Sequence, residues 1–256
     1  MKYISLFLIT MLMSCTTTTS KKNKTLKVMS YNIRHGQGMD NKIDLDRIAN
    51  VISAQNPDLV ALQEIDKICK RSNNFDIAKE LGERLNMAYR FGEFMNYQNG
   101  EYGMAILSKF PINKTIRHEL PKGTEPRCAL EVDVQTNISP QSISFICIHN
   151  DWKNVNIRVL QIKELLNQIK DVKKPVVLAG DFNGTPSDPS LDLLRKNNWN
   201  ILDKNNQKTF PSDSPNKEID FVVTRNFPSS KILHYTIAET KASDHRPIVA
   251  EFIIND

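Results

Sequence analysis

Short apolar runs of strand length recur along the chain and alternate with segments of helical spacing. The runs at 26–33, 59–62, 104–107, 129–134, 144–149, 176–179, 219–223 and 248–254 are mostly rich in Val and Ile and predict strands. Between them, Leu45, Ile48, Val51 and Ile52 share one helical face, as do Ile77, Leu81 and Leu85. Ile162, Leu165, Leu166 and Ile169 form a third stripe, and Leu191 with Leu194 a short fourth for which Ser187 is the expected N-cap. These stripes are core faces. Several strands are apolar throughout rather than alternating, so both of their faces must be covered. Packed sheets with helices outside satisfy every such face, which gives an α/β fold built as a layered sandwich. No internal repeat and no Pro/Gly/Ser linker divides the chain after Leu26, so residues 26–256 are expected to form one domain.

Polar residues interrupt the apolar runs at their ends. Asn32 closes the first strand and Glu64 the second; His149 and Asn150 close the run 144–149, and Asp181 and Asn183 follow 176–179. Asp220 opens the run 219–223, and Asp244 and His245 precede the last strand. If the strands that end in polar residues run opposite to those that begin with them, all six clusters reach one rim of the sheets. Glu64, Asp181, Asp220 and Asp244 would then be crowded, and carboxylates so placed do not all stay ionised without a cation. Oxygen donors with no thiolate cluster favour a hard ion, Mg²⁺ or Mn²⁺. Taken singly, each has a plainer explanation: Glu64 as a solvated strand end, Asp181 and Asn183 as turn residues beside Gly180 and Pro186, His245 as a structural imidazole. Their joint order is what the plain readings do not explain.

Composition narrows the class. Lys plus Arg total 34 against 29 Asp plus Glu, a formal charge of +5, and 40% of residues are hydrophobic. That excludes a disordered or polytopic membrane chain, and the mild basic surplus does not by itself point to nucleic acid. At the N-terminus, Lys2 precedes an apolar run to Met13 that is too short to span a bilayer and reads as an export signal. Leu12-Met13-Ser14-Cys15 resembles a lipoprotein cleavage box, with residues 1–14 removed and a lipid on Cys15; a plain secretory peptide cut nearby is the alternative. Residues 15–25 are polar and of low complexity and read as a tether. Localisation is therefore expected at a membrane surface, on the exported side. Cys69, Cys128 and Cys147 are odd in number and scattered, which suggests neither a zinc ribbon nor a disulfide framework. Cys147, inside an apolar run, is most simply a small buried side chain.

Ser30-Tyr31-Asn32, Leu62-Gln63-Glu64, Gly180-Asp181-Phe182-Asn183, Ile219-Asp220-Phe221 and Ser243-Asp244-His245 resemble, in order, the signature motifs of the endonuclease/exonuclease/phosphatase superfamily. Residues 102–108 are similar to a segment common among its members. The resemblance implies a four-layer α/β sandwich: two packed, mainly antiparallel or mixed sheets flanked by helices. It further implies metal-assisted hydrolysis of a phosphate ester by an in-line water. On this resemblance Glu64 is the main metal carboxylate, with Asn32 beside it and Asp244 assisting. Asp181 activates the water, Asn183 and His149 contact phosphate oxygens, and Asp220 orients His245 against the scissile phosphate. The chain departs from the apurinic endonucleases, which carry an acidic residue two positions after the asparagine. Arg34 stands there, followed by His35, which suits a substrate phosphate better than a metal. Arg127 and Arg71 are further candidate phosphate contacts; Lys67 and Lys70, close to Arg71, read first as a solvated loop. Met104 stands where many relatives have a polar residue, which puts substrate contacts from that segment in doubt.

Three functions follow, in descending order. The first is an Mg²⁺-dependent phosphoesterase, a monomer anchored at a membrane and acting on a small or lipid-like phosphate ester. The second is a secreted nuclease, although no basic stripe interleaved with aromatics is present. The third is a non-catalytic anion-binding lipoprotein.

Overall fold

Two β–α–β units form the centre of the molecule. In the first, β1 (Lys24–Asn32) and β2 (Leu59–Lys67) run parallel and are joined through α1 (Leu45–Gln55). In the second, β7 (Ile143–His149) and β8 (Val176–Asp181) run parallel through α3 (Val155–Gln168). The computed structural model describes residues 24–136, 141–227 and 231–254; the expected signal 1–14, Cys15 and the tether up to residue 23 lie outside them. Among the described residues no helix is long and apolar enough to cross a membrane.

Each unit is flanked in the same way. After β2 come α2 (Ile77–Leu85), β3 (Ala88–Tyr97) and β4 (Gly100–Ser108), with β4 antiparallel to β2 and β3 at the edge. After β8 come α4 (Pro189–Lys196), β9 (Asn200–Ile201) and β10 (Asp220–Arg225), with β10 antiparallel to β8 and β9 at the edge. On the other side, β5 (Ile112–Leu120) and β6 (Arg127–Val134) lead into β7, as β11 (Lys231–Ile237) and β12 (Ile248–Ile254) flank β1. The result is two six-stranded mixed sheets, ordered β11-β12-β1-β2-β4-β3 and β5-β6-β7-β8-β10-β9. They share one plan, closed by a circular permutation, with no repeat in the residues themselves.

Three apolar layers hold the sheets. Leu26, Val28, Ala61 and Ile106 of the first sheet meet Leu130, Phe145, Cys147 and Val177 of the second, all essentially buried. Outside the first sheet, Ile48 and Ile52 of α1 and Leu81 of α2 cover Val60 and Leu62. Outside the second, Ile162 and Leu165 of α3 and Leu191 and Leu194 of α4 cover Ile146 and Leu178. This is the expected four-layer sandwich, and the expected helical stripes are its helix faces. The helix starts are capped by Asp44, Asp76, Asn154 and Asp188, whose side chains accept backbone N–H groups of the first turn. Asp188, not Ser187, caps α4: Pro189 occupies the first helical position, which leaves the residue directly before it as the cap. Among the described residues Cys69, Cys128 and Cys147 are buried and free, and Cys147 accepts a hydrogen bond from the Gln63 amide at 3.2 Å.

Candidate active site

Strand parity brings the polar residues to one place. In β1, Leu26, Val28 and Ser30 alternate toward the second sheet, and Asn32 continues that face. Phe145 and Cys147 lead in the same way to His149, and Val177 and Ala179 to Asp181. In β10, which runs the other way, Asp220 precedes the inward Val222 and lies opposite Asp181 in register. The antiparallel order of β8 and β10 therefore joins a strand end to a strand start at one rim. Gly180 permits the close approach of β8 to β7, because a Cβ there would run into the Ile148 carbonyl.

Glu64 reaches the rim by a different device. The β2–β4 register slips between Gln63 and Ile65, and Glu64 sits at the bulge with φ of 59°. A bulge of this kind releases one side chain from the ladder and re-aims it. The Asn32 amide then spans the two sheets: Nδ2 donates to Glu64 Oε1 at 3.0 Å and to Asp181 Oδ2 at 3.2 Å. Ser243 Oγ donates to the Asn32 carbonyl at 2.7 Å and so ties the loop before β12 to the end of β1. Glu64, Asp181, Asp244, His149 and His245 all line a cleft of about 360 Å³, together with Asn183, Arg127 and Arg71.

The second sheet's side of the cleft is a chain of buried groups. His245 Nδ1 lies 3.1 Å from Asp220 Oδ2, and its Nε2 lies 3.7 Å from Asp181 Oδ2. The Thr209 hydroxyl donates to the same Asp220 oxygen, and the buried Lys204 ammonium donates to the Asp220 carbonyl. His149 Nε2 stands 3.6 Å from Asp181 Oδ2. Burial would lower the His245 pKa, but the Asp220 and Asp181 carboxylates overcome it and push the imidazolium up to about 10. Burial, then Asp220, raises Asp181 to about 7, against the pull of His245. His149 is driven well below the usual histidine value by burial and by the Arg127 and His245 cations, so it is neutral.

Two donor sets are available to a metal ion. One ligand atom each of Asp181, Asp220 and His245 lie within 4.8 Å of one another, a spacing that suits a bound ion. Within this group, however, the protonated imidazole already faces both carboxylates. Among the described residues Glu64 makes no ion pair, and the His245 and Arg127 cations act on it only at longer range. Burial raises its pKa, the Asn32 hydrogen bond opposes this, and the Asp244 charge raises it further. Glu64 and Asp244 present carboxylate oxygens to the cleft, with the nearest cation at Asp244 being Arg34, Nε to Oδ2 3.9 Å. Paired carboxylate oxygens of this kind fit a hard divalent cation.

The remaining expected contacts divide. Arg127 is 3% exposed, stacks on Phe94 at 4.8 Å and pairs with Glu125 through Nη2 at 2.9 Å. Its Nε and Nη1 have no hydrogen-bond partner although they are buried. Arg71 also lines the cleft, but Asp66 holds it through two 2.8 Å hydrogen bonds. Asn183 donates to the Asn150 carbonyl at 3.1 Å from the cleft lining. Neither Arg34 nor His35 is part of the lining: Arg34 lies beside Asp244, and His35 bonds Gln37 at 3.2 Å. Burial and the Arg71 charge lower His35 to about 4, so it brings no positive charge to a phosphate. Lys67 is taken up by Glu101 at 2.7 Å. Met104 is core; the cleft contact from that strand is Tyr102. Sequence reasoning did not single out Tyr97, Trp152, Phe210, Glu125 or Thr209. Phe210 lies 4.8 Å from the His245 ring, and only its being an aromatic directly before Pro211 signals it.

A model of the Endonuclease/Exonuclease/phosphatase family matches residues 29–245. The chain is 22% identical to the uncharacterized protein YbhP of Escherichia coli (strain K12) over 241 residues, covering 88% of this chain and 95% of that one. A Bacteroides thetaiotaomicron endonuclease/exonuclease/phosphatase family protein superposes with a TM-score of 0.76, at 20% identity over 92% of this chain and all 100% of that one. The mannosyl-6-phosphatase of Bacteroides thetaiotaomicron VPI-5482 does so with a TM-score of 0.70, at 20% identity over 89% and 99% of the two chains. Likeness at these identities is likeness of fold.

Proposed function

We propose that this chain, which belongs to the endonuclease/exonuclease/phosphatase family of nuclease and phosphatase hydrolases, is a divalent-cation-dependent hydrolase of small or lipid-like phosphate esters. The observation that carries this reading is the Asn32 amide, hydrogen-bonded at once to Glu64 of one sheet and Asp181 of the other. It joins a carboxylate in need of a cation to a carboxylate set among imidazoles. Glu64, Asn32 and Asp244 would hold the cation, Mg²⁺ with Mn²⁺ as its substitute. When bound, it offsets charge on a phosphate oxygen and so eases attack on an anionic ester.

The chain's own groups supply the rest. Asp181, raised to about 7, accepts a proton from an attacking water in its carboxylate form. His245 stays an imidazolium because Asp220 holds Nδ1, and it faces the charge that develops on phosphate oxygens. The orphaned donors of Arg127 and the side chain of neutral His149 complete a cradle for those oxygens. A small substrate agrees with the size of the cleft, and one structural neighbour is a phosphatase of a sugar phosphate. The exported, lipid-anchored location through Cys15 is part of the same proposal. It places the substrate outside the cytoplasm or at a membrane surface.

The test is hydrolysis of p-nitrophenyl phosphate and bis-p-nitrophenyl phosphate by purified residues 24–256 with Mg²⁺. Turnover that EDTA abolishes and Mg²⁺ restores is expected. Turnover indifferent to EDTA would contradict the cation, and digestion of plasmid in preference to both esters would move the reading to a nuclease.

A further inference from the structure

We propose that the alcohol esterified to the phosphate is an uncharged, polyhydroxylated ring that stacks on Trp152. This rests on the hydrolase reading above and adds the substrate's chemical class to it. Among the described residues four large hydrophobic side chains are exposed, Ile68, Trp152, Val155 and Leu160, and of these only Trp152 lines the cleft. Its indole is 52% exposed, yet the turn that carries it is fixed. The Asp151 carboxylate, itself buried, accepts the backbone N–H groups of Thr124, Lys153 and Asn154 at 2.6, 3.0 and 2.7 Å. The Asp151 N–H in turn donates to Gln161 of α3 at 2.8 Å. An aromatic surface held open to water on a rigid turn loses little entropy when a ligand covers it. The Lys153 ammonium lies over one face of the indole, 4.4 Å from the ring centre, which leaves the other face for a ligand.

The rest of the lining selects the ligand's charge and polarity. Among the described residues no lysine lines the cleft, and the two arginines that do are each matched by a carboxylate, Arg71 by Asp66 and Arg127 by Glu125. With Arg127's free donors and the His245 imidazolium assigned to the reacting phosphate, the lining itself offers no further positive charge to a second phosphate or to a nucleic-acid backbone. An acyl chain would need a continuous apolar trough. The wall instead offers Tyr97, Glu125 and Asn183, groups that hydrogen-bond hydroxyls. A ring with a C–H face and hydroxylated edges matches both the indole and these groups.

The test compares glucose 6-phosphate with glycerol 3-phosphate in the wild type, Trp152→Ala and Trp152→Phe. Expected for Trp152→Ala is a rise of about tenfold in KM for the ring ester with kcat within about twofold. Glycerol 3-phosphate kinetics should be unchanged, and Trp152→Phe should recover most of the loss. Equal effects on the two esters, or none, would overturn the proposal. A second readout is independent of turnover. Trp152 and Trp199 are the only tryptophans and Trp199 is 3% exposed, so fluorescence changes on ligand addition report Trp152. In the Asp181→Asn background with Mg²⁺, glucose 6-phosphate should alter the emission and glycerol 3-phosphate should not. No change with the ring ester overturns the stacking. Absence of hydrolysis of every ester, p-nitrophenyl phosphate included, overturns the hydrolase reading, and the emission then decides the ring alone.

Discussion

The rim of the first sheet carries Asn32 and Glu64, and the equivalent rim of the second carries His149 and Asp181. Asn32, His149 and Asp181 end parallel strands of the β–α–β units, and Glu64 follows the last parallel pair, Asn32 with Gln63, within β2. The backbone plan is the same and the electrostatics are not. Glu64 is thrown out of its ladder by a bulge at φ 59° and lies near another carboxylate, Asp244, in the cleft. Asp181 stays in the ladder, opposite Asp220, and is closed in by two imidazoles, one of them charged. In the proposed reading the Glu64 carboxylate takes a divalent cation and the Asp181 carboxylate takes a proton. The proposed function then divides the chemistry, with charge neutralisation around Glu64 and proton handling around Asp181 and Asp220, which His245 joins from the loop before β12.

The sharpest way to break this division is to mutate each half. Asp181→Asn should lower kcat by about 100- to 10,000-fold, as should His245→Ala, with the cation concentration for half-saturation unchanged. Steady-state rates across a Mg²⁺ titration check both statements. On the first sheet the pattern inverts: Glu64→Gln or Asn32→Ala should raise the half-saturating Mg²⁺ about 10- to 100-fold, with much of the rate recovered at high Mg²⁺. The pH profile of kcat tests the Asp181–His245 side of the cleft alone. Asp181 must be ionised and His245 protonated, so the rate rises as pH passes about 7 and falls as it passes about 10. His245→Gln should remove the alkaline limb. The smallest effect is at Thr209, whose hydroxyl steadies Asp220: Thr209→Val should slow turnover about fivefold, the loss of one hydrogen bond, without changing the Mg²⁺ dependence.

Much of this was legible before any coordinates. The inner strands announce themselves because both faces are buried, and their period of two carries Asn32, His149, Asp181 and Asp220 to one rim. The four edge strands β3, β5, β9 and β11 were not foreseen. An edge strand needs fewer apolar residues, and in β5 the run Ile112–Leu120 is mostly exposed and carries Lys114 and Arg117. The bulge at Glu64 is equally silent, since nothing in Leu62-Gln63-Glu64 requires a left-handed residue. Lys204 reads as one more lysine of a polar loop, yet it is buried against Phe221 at 3.8 Å and paired with Glu218 at 3.2 Å. Neutral contacts such as Thr209, Phe210 and Trp152 carry no charge pattern, and only the packing of distant segments assigns them a place. His35 shows the reverse: a suggestive residue beside a motif that turns away to Gln37.

The division between the sheets is tested most directly by calorimetric titration of Mg²⁺ into the wild type, Glu64→Gln and Asp181→Asn. Cation binding through Glu64, Asn32 and Asp244 predicts that Glu64→Gln loses at least about tenfold in affinity while Asp181→Asn stays within about threefold of the wild type. The opposite ranking, with binding lost in Asp181→Asn and kept in Glu64→Gln, would place the ion among Asp181, Asp220 and His245 and contradict the account.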